Sequence, residues 1–150
     1  MRTGLGIAGI VLTVVTLAAT SPCVRADEIA DGRTYFLRYC ASCHGVEADG
    51  SGFVARALVH PPSDLRHLSE RNAVTLQGDV RERHDVLAER IARFIDGREI
   101  VTAHGTREMP VWGERFDDVH AEGAAREKAV RERINAMVAY LLSVQAKAQP

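Results

Sequence analysis

Two cysteines and a histidine stand within five residues, in the order Cys40-Ala41-Ser42-Cys43-His44. This is the C-x-x-C-H pattern by which c-type haem is attached to a polypeptide. The spacing places both sulfur atoms on one short helical turn, from which each can form a thioether with a haem vinyl group. His44 follows at once, so its imidazole can reach the iron from the same side. The motif predicts one covalent haem c on Cys40 and Cys43, with His44 as an axial ligand.

Three other uses of the two cysteines remain open from the residues alone. A redox dithiol accompanies a βαβ pattern, and the sequence shows no convincing alternating strand. Half of a zinc site would need histidines as its other ligands, because Cys40 and Cys43 are the only cysteines after residue 26. A haem-free protein with a structural disulfide would suit an oxidising compartment.

The N-terminal segment has the three-part pattern of a secretory signal peptide. Arg2 precedes an uncharged apolar run from Gly4 to Ala19, and small residues stand at the exit, ending at Ala26. We expect cleavage after Ala26, which divides the chain into a signal peptide (residues 1–26) and one mature domain (27–150). A retained membrane anchor is the alternative, although the run falls short of the roughly 18 to 20 residues that a spanning helix needs. The prediction is a periplasmic protein without stable membrane insertion after cleavage, and an export signal favours haem attachment, which in bacteria follows export.

Composition is that of an ordinary soluble domain with a small core. Of the 150 residues, 46% are hydrophobic, 26% charged and 5% aromatic. The 19 Lys and Arg nearly balance the 20 Asp and Glu, so no basic excess marks nucleic acid as a partner. A core this poor in aromatic residues would gain from an apolar cofactor at its centre.

Three segments have helical periodicity and predict an all-α domain. They run from about Glu28 to Cys40, from Val80 to Ile95 and from Ala125 to Ala146. Asp79 is placed to cap the second helix, and Gly97 to end it. The inner face of the second helix is expected to comprise Val80, Leu87, Ile91 and Phe94 or Ile95, with His84 and Ala88 beside them. That of the third is expected to comprise Val130, Ile134, Met137, Val138, Leu141 and Val144.

A second axial ligand is expected from a loop. Met109 stands in a polar stretch bounded by glycine and proline, where a methionine is a poor core residue and a good soft thioether ligand. Met137 lies on the apolar stripe of the last helix, where packing explains it. His104, in the same loop as Met109, is the alternative ligand, and a His/His site would have a lower reduction potential than His/Met. Most of the other histidines are expected to be surface residues or polar residues with satisfied hydrogen bonds.

These features together resemble the class I cytochromes c, over residues 28–145. Gly32 and Phe36 stand eight and four residues before Cys40, where that family has a small residue and an aromatic one. In the family they pack across the C-terminal helix, and here Met137 and Tyr140 match that partner. The resemblance implies the cytochrome c fold, with three main helices and loops wrapped around one haem.

The resemblance also implies further site residues. The proximal histidine is expected to donate its ring N–H to a backbone carbonyl of Pro61 or Pro62. Trp112 is expected either to shield a haem edge or propionate or to serve ordinary loop packing. The stretch from Val111 to Gly123, long and acidic, departs from the family.

The function implied is that of a single-electron carrier between redox protein partners, not an enzyme. A haem-bearing subunit of a periplasmic dehydrogenase or oxidase complex is the first alternative. A haem-based sensor or enzyme follows if the bond to Met109 is labile.

Overall fold

The computed structural model describes residues 25–72, 78–98, 109–116 and 122–146. Regular structure within these ranges is entirely helical, which confirms the predicted all-α class. The helices are α1 (Ala26–Tyr39), α2 (Ala41–His44), α3 (Leu68–Asn72), α4 (Val80–Asp96), α5 (Trp112–Arg115) and α6 (Gly123–Ser143), with 3-10 turns at Ala55–Ala57 and Leu65–His67. Within the described ranges, no helix has both the length and the apolarity required to cross a membrane. Residues 1–24 of the predicted signal peptide, together with His104, lie outside the described residues.

Helices α1 and α6, the first and last helices of the described chain, pack against each other and cross at a glycine. Gly32 is buried, and a Cβ built on it would overlap the backbone carbonyl oxygen of Ala136 and lie 3.0 Å from the Cβ of Tyr140. Only glycine permits this approach. Beside the crossing, the ring of Phe36 lies 5.2 Å from the ring of Tyr140 at an angle of 46°. The packing expected for Gly32 and Phe36 is therefore confirmed, and Met137 is fully buried on the same face of α6.

Helix α4 packs on α6 through a stripe of residues spaced four apart: Leu87, Ile91 and Ile95. The Asp79 side chain accepts a hydrogen bond from the backbone of Glu82 at 2.9 Å, and Gly97 ends the helix in the left-handed region at φ +66°. Both capping predictions are confirmed.

Part of the inner face expected for α4 is wrong. Val80 is 75% exposed, because it is the first residue of the helix and the packed stripe begins only two turns later. Of the two alternatives expected at the end of this face, Ile95 is buried, whereas Phe94 is 39% exposed, because the four-residue spacing from Ile91 leads to Ile95; that expectation is confirmed. His84 is also exposed, whereas Ala88 packs against the core.

The inner face of α6 is as expected as far as Leu141, but the helix ends earlier than the periodicity indicates. It stops at Ser143 because the next residues bond elsewhere: Gln145 Nε2 donates to the Leu65 carbonyl at 2.8 Å, and the backbone N–H of Ala146 donates to the Arg66 carbonyl at 2.7 Å. These bonds tie the end of α6 to the segment that follows the two prolines.

Candidate functional site

The two cysteines lie on one helical turn, where α1 passes into α2. The backbone N–H of Cys40 still bonds to the Phe36 carbonyl at 2.8 Å, and the Cys40 carbonyl accepts from both Cys43 and His44, at 3.1 and 2.9 Å. Both thiols are free and half-buried. Burial, and secondarily the neighbouring Cys43, raises the pKa of the Cys40 thiol to about 12. The arrangement presents two unpaired thiols and an imidazole on adjacent turns, as thioether attachment requires.

His44 is oriented by a backbone carbonyl. Its Nδ1 lies 3.1 Å from the carbonyl oxygen of Ser63. A carbonyl can only accept, so Nδ1 carries the proton and Nε2 of the neutral ring keeps its lone pair for a metal. Burial lowers the pKa of His44, an effect partly opposed by the bond to Ser63. A fixed tautomer of this kind is the usual state of a histidine ligand.

The acceptor is not the one expected from the resemblance. Pro61 and Pro62 were expected to supply the carbonyl, and in the structure Ser63, directly after them, supplies it. The reason is that the Pro62 carbonyl is directed at Gly50, where a Cβ would lie 2.6 Å from the oxygen. Whether either proline contacts the cofactor stays a prediction.

The loop after the motif folds back and holds the Ser63 segment in place. The backbone N–H of Gly50 donates to the His44 carbonyl at 2.8 Å, and the Leu65 N–H donates to the Ala48 carbonyl at 2.8 Å. Gly50 has φ +84°, a conformation that side chains disfavour. Ala48, fully buried, also has a positive φ of 59°. Backbone hydrogen bonds therefore connect the chain directly after His44 with the segment around Ser63 that accepts from its imidazole.

The same loop lies directly on the motif. A Cβ on Gly52 would overlap the backbone of Ser42 and Cys43, and the Gly52 N–H donates to the Cys43 carbonyl at 3.1 Å. Large apolar side chains downstream of the motif are exposed: Val46, Phe53, Leu58 and Val59.

The residues present suit a haem. The two free thiols could form thioethers to a haem, and the imidazole, with its tautomer fixed, could bind the iron. The exposed apolar side chains could contact the flat apolar ring of the haem. Among the described residues, no three histidine, cysteine or acidic side chains gather as a metal-binding group.

The segment that contains Met109 is brought to the motif by aromatic packing. Met109 is half-buried and packs against the core. Three residues later, the Trp112 ring stacks on Phe116 at 5.4 Å and lies 5.7 Å from the ring of Tyr39. Tyr39 immediately precedes Cys40, so the Met109 segment and the motif meet at the same end of α1. The described contacts of Trp112 are thus those of packing, within a short helix where the sequence indicated a loop.

Sequence reasoning missed two residues of this region. The Ser63 carbonyl has no side-chain signal, and only the neighbouring prolines pointed toward it. Phe116 is 1% exposed and accepts, through its carbonyl, a hydrogen bond from Arg133 at 2.7 Å. It stands within the acidic stretch, where its apolar side chain was a sign that Phe116 itself is buried.

Comparison with known proteins yields one family match. The model of the family described as cytochrome C oxidase, cbb3-type, subunit III matches residues 27–126, which include the motif and Met109. No curated protein and no solved structure matches the chain. Because the matched region covers about two thirds of the sequence, the chain belongs to this family and contains a c-type cytochrome domain.

Proposed function

We propose that this protein is a periplasmic carrier of single electrons, with one haem c held by Cys40, Cys43, His44 and Met109. A c-type cytochrome domain implies covalently bound haem and haem-based electron transfer. The observation that supports the proposal most strongly is the hydrogen bond between His44 Nδ1 and the Ser63 carbonyl, which leaves Nε2 available to iron. The two free thiols on the preceding turn support covalent attachment.

Each residue has a distinct part in this proposal. Cys40 and Cys43 fix the cofactor to the chain, so repeated redox cycling outside the cytoplasm does not release it. His44 would bind the iron through Nε2, and the thioether of Met109 would be the second, soft ligand, which raises the potential. When bound, haem accepts and releases one electron without a bond rearrangement. Haem held in this way by His44 and Met109 would have no free ligand position at its iron for a substrate.

The carrier would work after export. The proposed signal peptide ends at Ala26, and the mature domain comprises residues 27–150. Removing the first 26 residues takes away two arginines and no acids, so the mature surface is mildly acidic. Redox partners are expected to dock weakly, steered by charge.

An electron-transfer subunit of an oxidase complex is the second candidate. The printed description of the matching family, an oxidase subunit, favours it. A subunit would co-purify with a larger catalytic chain and exchange electrons slowly with soluble donors. A free carrier would purify alone and exchange rapidly.

The first test is expression of the full-length chain in a bacterium equipped for cytochrome c maturation. We expect haem that survives denaturation, a low-spin spectrum and the weak far-red band of ferric iron bound to a thioether. Mass spectrometry of the product gives its N-terminus and the number of haems. The matched control is Cys40→Ser with Cys43→Ser, which keeps His44 and Met109 and should yield a protein without attached haem.

The results of this experiment distinguish the carrier from the alternatives. Attached haem without the far-red band would mean that Met109 is not the sixth ligand, and it would favour the sensor or enzyme alternative. A colourless wild-type product would refute covalent haem attachment and favour a haem-free protein in which Cys40 and Cys43 form a disulfide.

A further inference from the structure

Arg98, directly after the end of α4, bridges carboxylates of two different helices. Its Nε and Nη2 donate to the two carboxylate oxygens of Asp96, the last residue of α4, at 2.7 and 2.9 Å. Its Nη1 donates to both oxygens of Glu127 on α6, at 2.8 and 3.0 Å. Every nitrogen of the guanidinium is engaged, and two-oxygen pairing of this kind fixes orientation as well as distance. We call Asp96, Arg98 and Glu127 the Arg98 clamp.

Helix α5 lies on the Arg98 clamp through Gly113. A Cβ built on Gly113 would overlap the Asp96 carboxylate and lie 2.6 Å from Nε of Arg98. Gly113 is buried, and a side chain there would have to displace the Asp96 carboxylate or the Arg98 guanidinium. Because Gly113 follows Met109 by four residues, the Arg98 clamp supports the turn that carries the proposed distal ligand.

The Arg98 clamp is charged and partly shielded from solvent. The side chains of Arg98 and Asp96 are 35% and 28% exposed. The hydrogen bonds from Arg98 hold the pKa of Asp96, and that of Glu127, below the usual range. All three groups are therefore ionised at neutral pH, and the pairing is stronger than that of a fully exposed ion pair.

We propose that Arg98 is a positioning residue that, through Gly113, keeps the thioether of Met109 on the haem iron. This inference rests on the His44/Met109 ligation proposed above. Met109 itself packs against the core, and the chain that follows it is held at Gly113 and by the Trp112 ring, so this support bears on where the Met109 side chain sits. Residues that orient metal ligands without touching the metal commonly change metal affinity by about 10- to 100-fold when replaced.

The test uses the full-length, haem-loaded protein and the variant Arg98→Met, which keeps an unbranched apolar stem and removes the guanidinium with its charge. We expect the ferric far-red band to weaken and carbon monoxide to bind the reduced protein about tenfold faster, because the Met109 bond opens more often. Arg98→Lys should restore part of both signals, since an ammonium can reach one carboxylate but cannot span two. The matched control is Lys128→Met, which removes an ion pair to Glu132 (2.7 Å) that lies wholly within α6. It should leave both signals unchanged.

Failure of this inference differs from failure of the proposed function. If wild type shows the far-red band and Arg98→Met shows the same band and the same carbon monoxide rate, Arg98 does not position the ligand. If wild type lacks the band, or Met109→Ala retains it, the ligation itself is wrong. Should Arg98→Met fail to fold, Glu127→Gln serves instead, because the Glu127 side chain is 48% exposed and its replacement is tolerable. It should weaken the band in the same direction, and an unchanged band there would overturn the proposal.

Discussion

Gly32 on α1 lies so close to the backbone carbonyl of Ala136 on α6 that a single added methyl group would overlap the oxygen. The oxygen belongs to the main chain, so no side-chain rotation on α6 can relieve the overlap. The two helices would have to move apart, and the buried contact between Phe36 and Tyr140 beside the crossing would loosen with them.

We therefore expect Gly32→Ala to lower the free energy of unfolding by about 1–3 kcal/mol, despite the better helix propensity of alanine. Denaturant titration of the haem-loaded protein measures the change. Thr34→Ala, an exposed substitution on the same helix, is the control and should change stability by less than about 0.5 kcal/mol. Equal stability of Gly32→Ala and wild type would contradict the close approach.

Replacement of Gly50 by alanine should raise the reduction potential. The added Cβ would press on the Pro62 carbonyl and displace the Ser63 carbonyl that accepts from His44. Losing that hydrogen bond makes the imidazole a weaker donor to iron, which favours the reduced state. Potentiometry should show a rise of tens of millivolts. Gly78→Ala is the matched control, because Gly78 also has a positive φ (105°) but a Cβ there meets only the flexible side chain of Glu82. It should cost stability and leave the potential unchanged.

Met109→His should lower the reduction potential and abolish the far-red ferric band. Imidazole stabilises ferric iron relative to a thioether, and the choice of axial ligands spans about 0.8 V in haem proteins. Met137→Leu is the control, since Met137 is fully buried in the core and leucine conserves its volume. A Met109→His protein with the wild-type potential would show that Met109 is not a ligand.

Asp64 should make the protein more stable at neutral than at acid pH. Its carboxylate accepts from the backbone and the guanidinium of Arg66, the latter at 3.0 and 2.7 Å, and these bonds hold the pKa of Asp64 well below its usual range. A depressed carboxyl pKa contributes stability above the unfolded-state pKa, about 3.9, and this contribution is lost as the pH falls below that value.

The stability difference between wild type and Asp64→Asn should thus be constant above about pH 5 and shrink below about pH 4. Unfolding titrations across pH 2–7 measure it. Arg66→Met, which removes the cation and keeps the carboxylate, should reduce the acid dependence in the same way. A difference that grows toward acid pH would show that Asp64 is not stabilised in its charged form.

The long helices could be predicted because their signals are local and repeated. Capping by Asp79 and termination at Gly97 were readable from single residues, and the stripe from Val130 to Leu141 from its period. The short helices α2, α3 and α5 have too few residues to show a period. The end of α6 was placed too late, because Ala146 leaves the helix for a bond to Arg66, about eighty residues earlier in the chain.

The candidate site could be predicted only where the type of side chain itself indicates the function of the residue. Cys40, Cys43 and His44 stand together in the sequence, and a resemblance supplied the rest. The Ser63 acceptor was displaced by one residue, because which carbonyl faces the imidazole depends on how Gly50 packs against Pro62. The Arg98 clamp joins residues far apart in the chain, Arg98 and Glu127, and its contact with Gly113 needs no side chain at all.

From the pairing of α1 with α6 we expect an order of events during biogenesis. Gly32 and Ala136 are about a hundred residues apart, so their contact closes a long loop and forms slowly. Before α6 has been synthesised, α1 lacks its partner, and we expect the thiols that follow α1 to be accessible for haem attachment during that time. We expect a chain cut before α6 to accept haem and yet show no near-UV circular dichroism of fixed tertiary structure. Packing of α6 on α1 would thus complete the tertiary structure only after the haem has been attached.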